Sequence, residues 1–217
     1  MREKAGRTFA IAEEHPATPG CTTSFAVHEG RGLAVSYFSL AAGTDISAET
    51  HPQHKLLLVT DGSVDVDAGD GARHVAAGES ILVPADATVG MSTREGCTYA
   101  ELNMERKTIM NQAVKAGDVF ALADLVPYQD GTIVNMDVDH NDGMKLALMS
   151  FDAGCGLSEH SAPGEALVFA LDGEGVIGYE GQEHTIHAGQ NFKFDKGGRH
   201  YVRADRRFKM ALLLTLE

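Results

Sequence analysis

Tryptophan is absent, aromatic residues make up 6% of the chain, and only 3 of the 217 residues are cysteine. So few stacking side chains argue against a platform for single-stranded nucleic acid. The cysteines, Cys21, Cys97 and Cys155, form no C-x-x-C pair. An odd, sparse set is not a disulfide framework and points to a reducing, cytoplasmic setting. Basic residues are scarce too: 18 Lys and Arg stand against 31 Asp and Glu, a net charge of -13. Such a chain lacks the positive surface that phosphate backbones and anionic headgroups attract, so neither nucleic acid nor a membrane is expected as a partner. Long apolar runs are also missing. The longest, Ala166 to Leu171, is far short of the roughly 20 residues of a membrane helix. The opening Met1-Arg2-Glu3-Lys4-Ala5-Gly6 has no apolar stretch of the secretory kind. Nucleophile elbows, phosphate-cradling glycine loops and zinc-finger spacings do not occur.

What is present is glycine, 24 residues of it, and an internal repeat. A gapless shift of 111 residues lays Lys4-Ala5-Gly6 on Lys115-Ala116-Gly117 and Phe9-Ala10-Ile11-Ala12 on Phe120-Ala121-Leu122-Ala123. The same shift lays Ala42-Gly43 on Ala153-Gly154, Pro52 on Pro163, Asp61-Gly62 on Asp172-Gly173 and Ala77-Gly78 on Ala188-Gly189. Matches held in one register over this distance indicate a duplication of whole domains, 1–110 and 111–217, rather than a solenoid of short units.

Each half reads as short strands separated by glycine turns. The first half gives Leu33 to Leu40, Leu56 to Thr60, Val64 to Asp67, His74 to Ala76 and Ser80 to Val83. The second gives Gly143 to Phe151, Ala166 to Leu171, Gly175 to Tyr179, Glu183 to His187 and Asn191 to Phe194. Asp61-Gly62 and Asp172-Gly173 read as turns. Helical candidates are confined to the junction, at Met104 to Lys115 and Asp118 to Ala123. The fold class is therefore all-β, a pair of sandwich or barrel domains with short helices between them.

In the second half Gly154, five residues and His160, with Gly173 closing, resemble the first of the two cupin motifs. Gly189, five residues, Asp195, Lys196, Gly197, two residues and His200 resemble the second, with Asp where the family has Pro. In the first half Gly43 and Gly62 bracket one motif, and Gly78 with Pro84 opens the other. The chain thus resembles a bicupin, two jelly-roll β-barrels in tandem.

That resemblance implies a divalent metal inside a barrel on three His and one Glu. Imidazole suits Fe, Mn, Ni or Zn, and the carboxylate compensates charge. In the second half His160 and His200 hold the first and last positions, while Ala162 and Ala166 replace the second His and the Glu. Glu165 stands one residue early and is the candidate third ligand, giving one metal per chain. The alternative for His160 and His200 is a metal-free polar pocket. In the first half Glu49, His51, Lys55 and Val89 occupy the four positions, and His54 is in register with Glu165. Glu49, His51 and His54 form the second candidate metal set, but a Lys55 ammonium beside it disfavours a cation. Lys55 could instead pair with Glu49 or an anionic ligand.

Two further charge clusters stand out. Asp61, Asp65, Asp67 and Asp70 lack the spacing of a calcium loop and read as a solvated hairpin. Arg199, Arg203, Arg206, Arg207 and Lys209 flank His200 and either draw an anion to the barrel mouth or form an exposed charged surface.

Three functions follow from this reading. One is a metal-dependent oxygenase or isomerase acting on a small molecule at His160 and His200. Another is a metal-free small-molecule binding protein. The last is an isomerase with the same histidines as acid and base. A homo-oligomer, a dimer, is expected, since the strands have edges to cover.

Overall fold

The computed structural model describes residues 1–69 and 71–216, so Asp70 of the acidic run lies outside the described residues. In chain order the first half supplies β1 (Thr8–Phe9), the short helix α1 (Ile11–Glu14), β2 (Thr22–Gly30), β3 (Leu33–Leu40), β4 (Asp45–Thr50) and β5 (His54–Asp67). It continues with β6 (Ala72–Ala76), β7 (Ser80–Val83), β8 (Thr88–Ser92) and β9 (Cys97–Met104). Past β10 (Ile109–Met110) come β11 (Val119–Phe120), a 3-10 turn at Leu122–Leu125, β12 (Ile133–His140), β13 (Met144–Phe151) and β14 (Gly156–Ser161). The chain ends with β15 (Ala166–Tyr179), β16 (Gln182–His187), β17 (Asn191–Phe194), β18 (Arg199–Arg203) and β19 (Phe208–Thr215). Moved along by 111 residues, each of β1 to β9 falls on one of β11 to β19, apart from β10, to within a residue at either end.

Each half folds its strands into a large and a small antiparallel sheet that share one long strand. In the first half β5 pairs with β7 and β9 at its start and with β6 and β8 at its end. In the second, β15 does the same with β17 and β19, then with β16 and β18. The transfer happens at Asp61-Gly62 and Asp172-Gly173. These dipeptides do not end strands, as the sequence suggested; they sit at bulges, where the register slips between Val59 and Asp61 and between Ala170 and Asp172. A bulge bends its strand and sharpens the twist, which carries the strand from one sheet to the other and curls the pair into a barrel. Glycine is required at both bulges. Gly62 has φ +67 and Gly173 φ +73, and an added Cβ would meet Gly96 O at 2.1 Å and Arg207 O at 2.0 Å.

Side-chain alternation along the shared strands divides the core in three. Leu57 and Val59 face the first barrel's interior with Val83, Val89 and Tyr99. Val168 and Ala170 face the second barrel's interior with Phe151, Phe192, Phe194 and Phe208. The opposite faces, Leu56, Leu58 and Leu102 on one side and Leu146, Leu167 and Leu213 on the other, merge into a single cluster spanning both halves. The large sheets therefore pack back to back.

The junction differs from the helices expected at Met104 to Lys115 and Asp118 to Ala123. Met104 ends β9, and Ile109 and Met110 pair with His140 and Asp139. Asn111 Oδ1 then accepts the Ala113 N–H at 2.9 Å. An Asn side chain that satisfies nearby backbone groups in this way competes with helix formation. Only Leu122–Leu125 keeps a helical turn, of 3-10 type.

Besides β10, which pairs with β12, two short strands cross between the halves. β1, from the first half, joins the second barrel through Thr8 opposite Phe192, and β11, from the second, joins the first barrel through Val119 opposite Ile81. The backbone contacts around them match: Gly6 N–H donates to Lys193 O, and Gly117 N–H to Leu82 O. Each sheet therefore draws a strand from the other half of the chain. No helix among the described residues is long and apolar enough to cross a membrane.

Candidate functional site

In the second barrel β14 and β18 pair at the rim with His160 directly opposite His200. The ring centroids are 4.4 Å apart, with an interplanar angle of 56°. The two rings sit in different surroundings. His160 is exposed. His200 is 5% exposed and lies stacked on Phe194, centroid to centroid 4.1 Å. Phe194 is in turn packed against Phe192 in the barrel interior, so the histidine pair rests on an aromatic floor.

Hydrogen bonding fixes both imidazoles alike. His160 Nδ1 lies 2.8 Å from Ser158 O and His200 Nδ1 lies 2.9 Å from Gly198 O. A carbonyl oxygen only accepts, so each Nδ1 carries a proton, and in the neutral ring each Nε2 keeps its lone pair. Burial holds His200 below its ordinary imidazole pKa, with the neighbouring His160 acting in the same direction and the Gly198 carbonyl opposing them. At neutral pH His200 is thus an uncharged base.

Glu165 does not join the pair. Lys193 lies between the inward-facing Phe192 and Phe194, so its side chain leaves by the other face of the strand. There its Nζ meets Glu165 Oε1 at 2.6 Å, and the α-ammonium of Met1 takes Oε2. Burial alone would raise the Glu165 carboxyl, but Lys193 and the Met1 ammonium outweigh it and hold the group below the usual carboxylate range. Ala166 takes the inward position that the third ligand would need.

A metal-binding cupin site should gather four donors, and catalytic metal sites commonly keep three protein ligands. Here two imidazoles stand together without a carboxylate. Among the described residues no group of three or more His, Cys, Asp or Glu is placed to hold a metal ion. The donor set does not fit a resident divalent metal.

The first-half candidates divide differently. Glu49 Oε2 and His51 Nε2 approach to 3.6 Å at the rim, and Val89 faces Glu49 where the second half has its second histidine. His54 does not converge with them. It precedes the inward-facing Lys55 and shares the strand face of Leu56 and Leu58, and its Nδ1 accepts the Ala85 N–H at 3.1 Å. Lys55 pairs with Glu101 rather than Glu49, at 3.1 Å, and both are buried. Asn103 Nδ2 donates to the same Glu101 oxygen at 2.9 Å. The sequence reading missed Glu101 and Asn103. Their signal lies in the alternation of β9, where Cys97 and Tyr99 set the inward parity and Glu101 and Asn103 continue it with polar side chains.

Four of the five residues of the basic cluster are engaged by neighbouring groups. Arg203 is held by Glu183 and Asp205, Arg207 by Asp130 and Asp152, and Arg199 by Glu159. Lys209 donates to Ala123 O at 2.7 Å and lies over the Tyr128 ring. Burial pushes the Cys97 thiol up to about 12, which removes it as a thiolate nucleophile at neutral pH.

The cupin domain family matches residues 147–215, in the second barrel. Among solved structures, a cupin 2 conserved barrel domain protein from Leptotrichia buccalis superposes with a TM-score of 0.87 at 23% identity, covering 99% of both chains. A salicylate 1,2-dioxygenase from Pseudaminobacter salicylatoxidans gives 0.64 at 10% identity, over 88% of this chain and 76% of its own. An oxalate decarboxylase from Lactobacillus farciminis, in complex with formate, gives 0.57 at 12%, over 99% and 87%. No curated protein matches the sequence. The shared feature is the cupin barrel fold.

Proposed function

We propose that this chain is a bicupin, with its repeat boundary at 110 and 111, and that its second barrel binds a small molecule at His160 and His200 without a resident metal. The observation that carries this reading is the state of the two imidazoles. Both spend Nδ1 on the backbone, both keep an Nε2 lone pair, and they stand 4.4 Å apart across one strand pair. Such a pair accepts hydrogen bonds or a proton from a ligand hydroxyl, or from a carbon acidified by a neighbouring carbonyl. The buried, neutral His200 is the base, and the exposed His160 meets the ligand first. This chemistry belongs to binding or to isomerisation. Two fold neighbours are named for small organic acids, oxalate and salicylate, which accords with a ligand of that size.

Elemental analysis of the purified protein, paired with an NMR saturation-transfer screen of small hydroxy and keto acids, tests the proposal. The expected result is no stoichiometric metal, together with binding that a His160→Ala, His200→Ala variant loses. About one transition-metal ion per chain, retained by the native protein and lost from the variant, would replace this reading with the metalloenzyme one. Screen hits that survive in the variant would move the site elsewhere.

A further inference from the structure

The two halves build a cavity of about 90 Å³ between them, and none of the rim histidines lines it. Its walls come in pairs offset by 111 residues: Leu58 with Phe169, Thr60 with Leu171, and Ser80 with Asn191. It therefore lies outside both barrel interiors, where one half meets the other. Leu122 and Ala123 of the 3-10 turn form a further wall. Glu79 and Gln190 are half-buried and the neighbouring Gly78 and Gly189 are exposed, which marks the mouth.

The backbone along this cavity is satisfied. Val59 N–H donates to Glu79 O, and Ala170 N–H to Gln190 O. One side chain is not. Asn191 is 2% exposed, and its Nδ2 donates to Val168 O at 3.3 Å. A carbonyl only accepts, so the amide nitrogen is the atom turned to Val168. The other end of the amide, Oδ1, is buried and has no hydrogen-bond partner among the described residues. A buried acceptor left unpaired costs stability. The fold does not impose that cost. Ser80 stands opposite Leu58 as Asn191 stands opposite Phe169, so the same position accepts a short hydroxyl side chain. What Asn191 supplies, and serine does not, is an amide acceptor set beside an apolar wall.

We infer that this cavity is a binding site for a neutral small molecule, a short branched alcohol or primary amide, independent of His160 and His200. Its O–H or N–H donates to Asn191 Oδ1, and its carbons rest on Leu58, Phe169 and Leu122, which belong to the apolar cluster shared by the halves. An apolar cavity of roughly 150 Å³ takes benzene, so this smaller space suits a body of about four carbons. Glu79 at the mouth repels an anion, and Asn191 Oδ1 offers a carboxylate nothing to accept.

Saturation-transfer NMR with isobutanol, isobutyramide and isobutyrate, on the full chain, tests this. Isobutanol and isobutyramide at millimolar concentration are expected to give signals with the native protein and with the His160→Ala, His200→Ala variant, and isobutyrate none. Ala123→Leu, at a half-buried position of the turn, fills the cavity and should abolish both signals. Asn191→Ala keeps the cavity but removes the acceptor, and should weaken isobutanol binding about fivefold, the worth of one net hydrogen bond. Thermal melts of both variants establish that they fold. No transfer to the native protein would leave Asn191 Oδ1 to an ordered water and overturn the proposal. So would transfer that persists in Ala123→Leu, is unchanged in Asn191→Ala, is equally strong for isobutyrate, or disappears with the histidine variant.

Discussion

Where β5 carries Lys55, β15 carries Ala166, and where β7 carries Ile81 and Val83, β17 carries Phe192 and Phe194. Leu40 and Cys97 of the first interior correspond to Phe151 and Phe208 of the second. One barrel is filled by four phenylalanines and keeps its polar chemistry at the rim, as two histidines facing each other across a strand pair. The other is filled by smaller side chains and a stacked Phe38–Tyr99 pair, ring centroids 5.1 Å apart, and buries its polar chemistry as an ion pair. The bulges at Gly62 and Gly173 and the pairing registers are nevertheless the same, and the strand lengths agree to within a residue. The frame is set by backbone features, and the interior and rim positions are left open to different chemistries.

The largest expected effect breaks the polar side of this contrast. Glu101→Leu leaves the Lys55 ammonium buried without its partner and should destabilise the protein by about 3–5 kcal/mol in urea melts. Adding Lys55→Ala should restore most of that loss, because the pair then matches Ala166 and Leu212. If both variants melt alike, the ion pair is not buried as described. Next, Phe194→Val gives the second barrel the side chain found at Val83. The lost ring carbons and the remaining cavity should cost about 2–3 kcal/mol. The same change removes the plate under His200, so ligand binding there should weaken as well.

A smaller effect reads out through pH. Burial, the largest cause, holds the folded pKa of His200 below its ordinary value. As pH falls through about 6.5, the unfolded chain takes up this proton before the folded one does, so stability falls with acidification until the folded pKa is passed. His200→Phe should flatten that part of a stability-against-pH curve, whereas a change at Val89, its counterpart in the first barrel, should not. A slope that stays the same in His200→Phe would assign it to other groups. The smallest effect is that of His160→Ala. The side chain is exposed, so stability should shift by no more than about 0.5 kcal/mol in thermal melts, yet binding at the rim should be lost.

Much of this was legible in the sequence, because glycines and alternation are local signals. Leu33–Leu40, Ser80–Val83 and Asn191–Phe194 are strands with the ends their residues suggest. The Asp-Gly pairs looked like turns because a bulge and a turn both call for a left-handed glycine. Only the partner strands, far away in sequence, tell them apart. Asn111 hid the fate of the junction in the same way, since its side-chain bond to Ala113 is a matter of geometry. For the site, spacing pointed to His160 and His200, which stand opposite each other on β14 and β18. It could not place Glu165, which a single-residue offset sends to the opposite face of the strand, toward Lys193. Nor could it find Glu101, which meets Lys55 across 46 residues.

The crossing of β1 and β11 has a bearing on how such a chain could arise and come apart. Each half gives an arm to the other and receives one in return, the reciprocal exchange seen in swapped dimers. A half-length chain on its own would have to associate with a copy of itself to complete either barrel. Joining the two copies through the turn that now holds Glu105 to Asn111 would have turned a concentration-dependent complex into a single polypeptide. A protease cut in that turn should accordingly yield two fragments that stay together as one particle, each still clasping the other's arm.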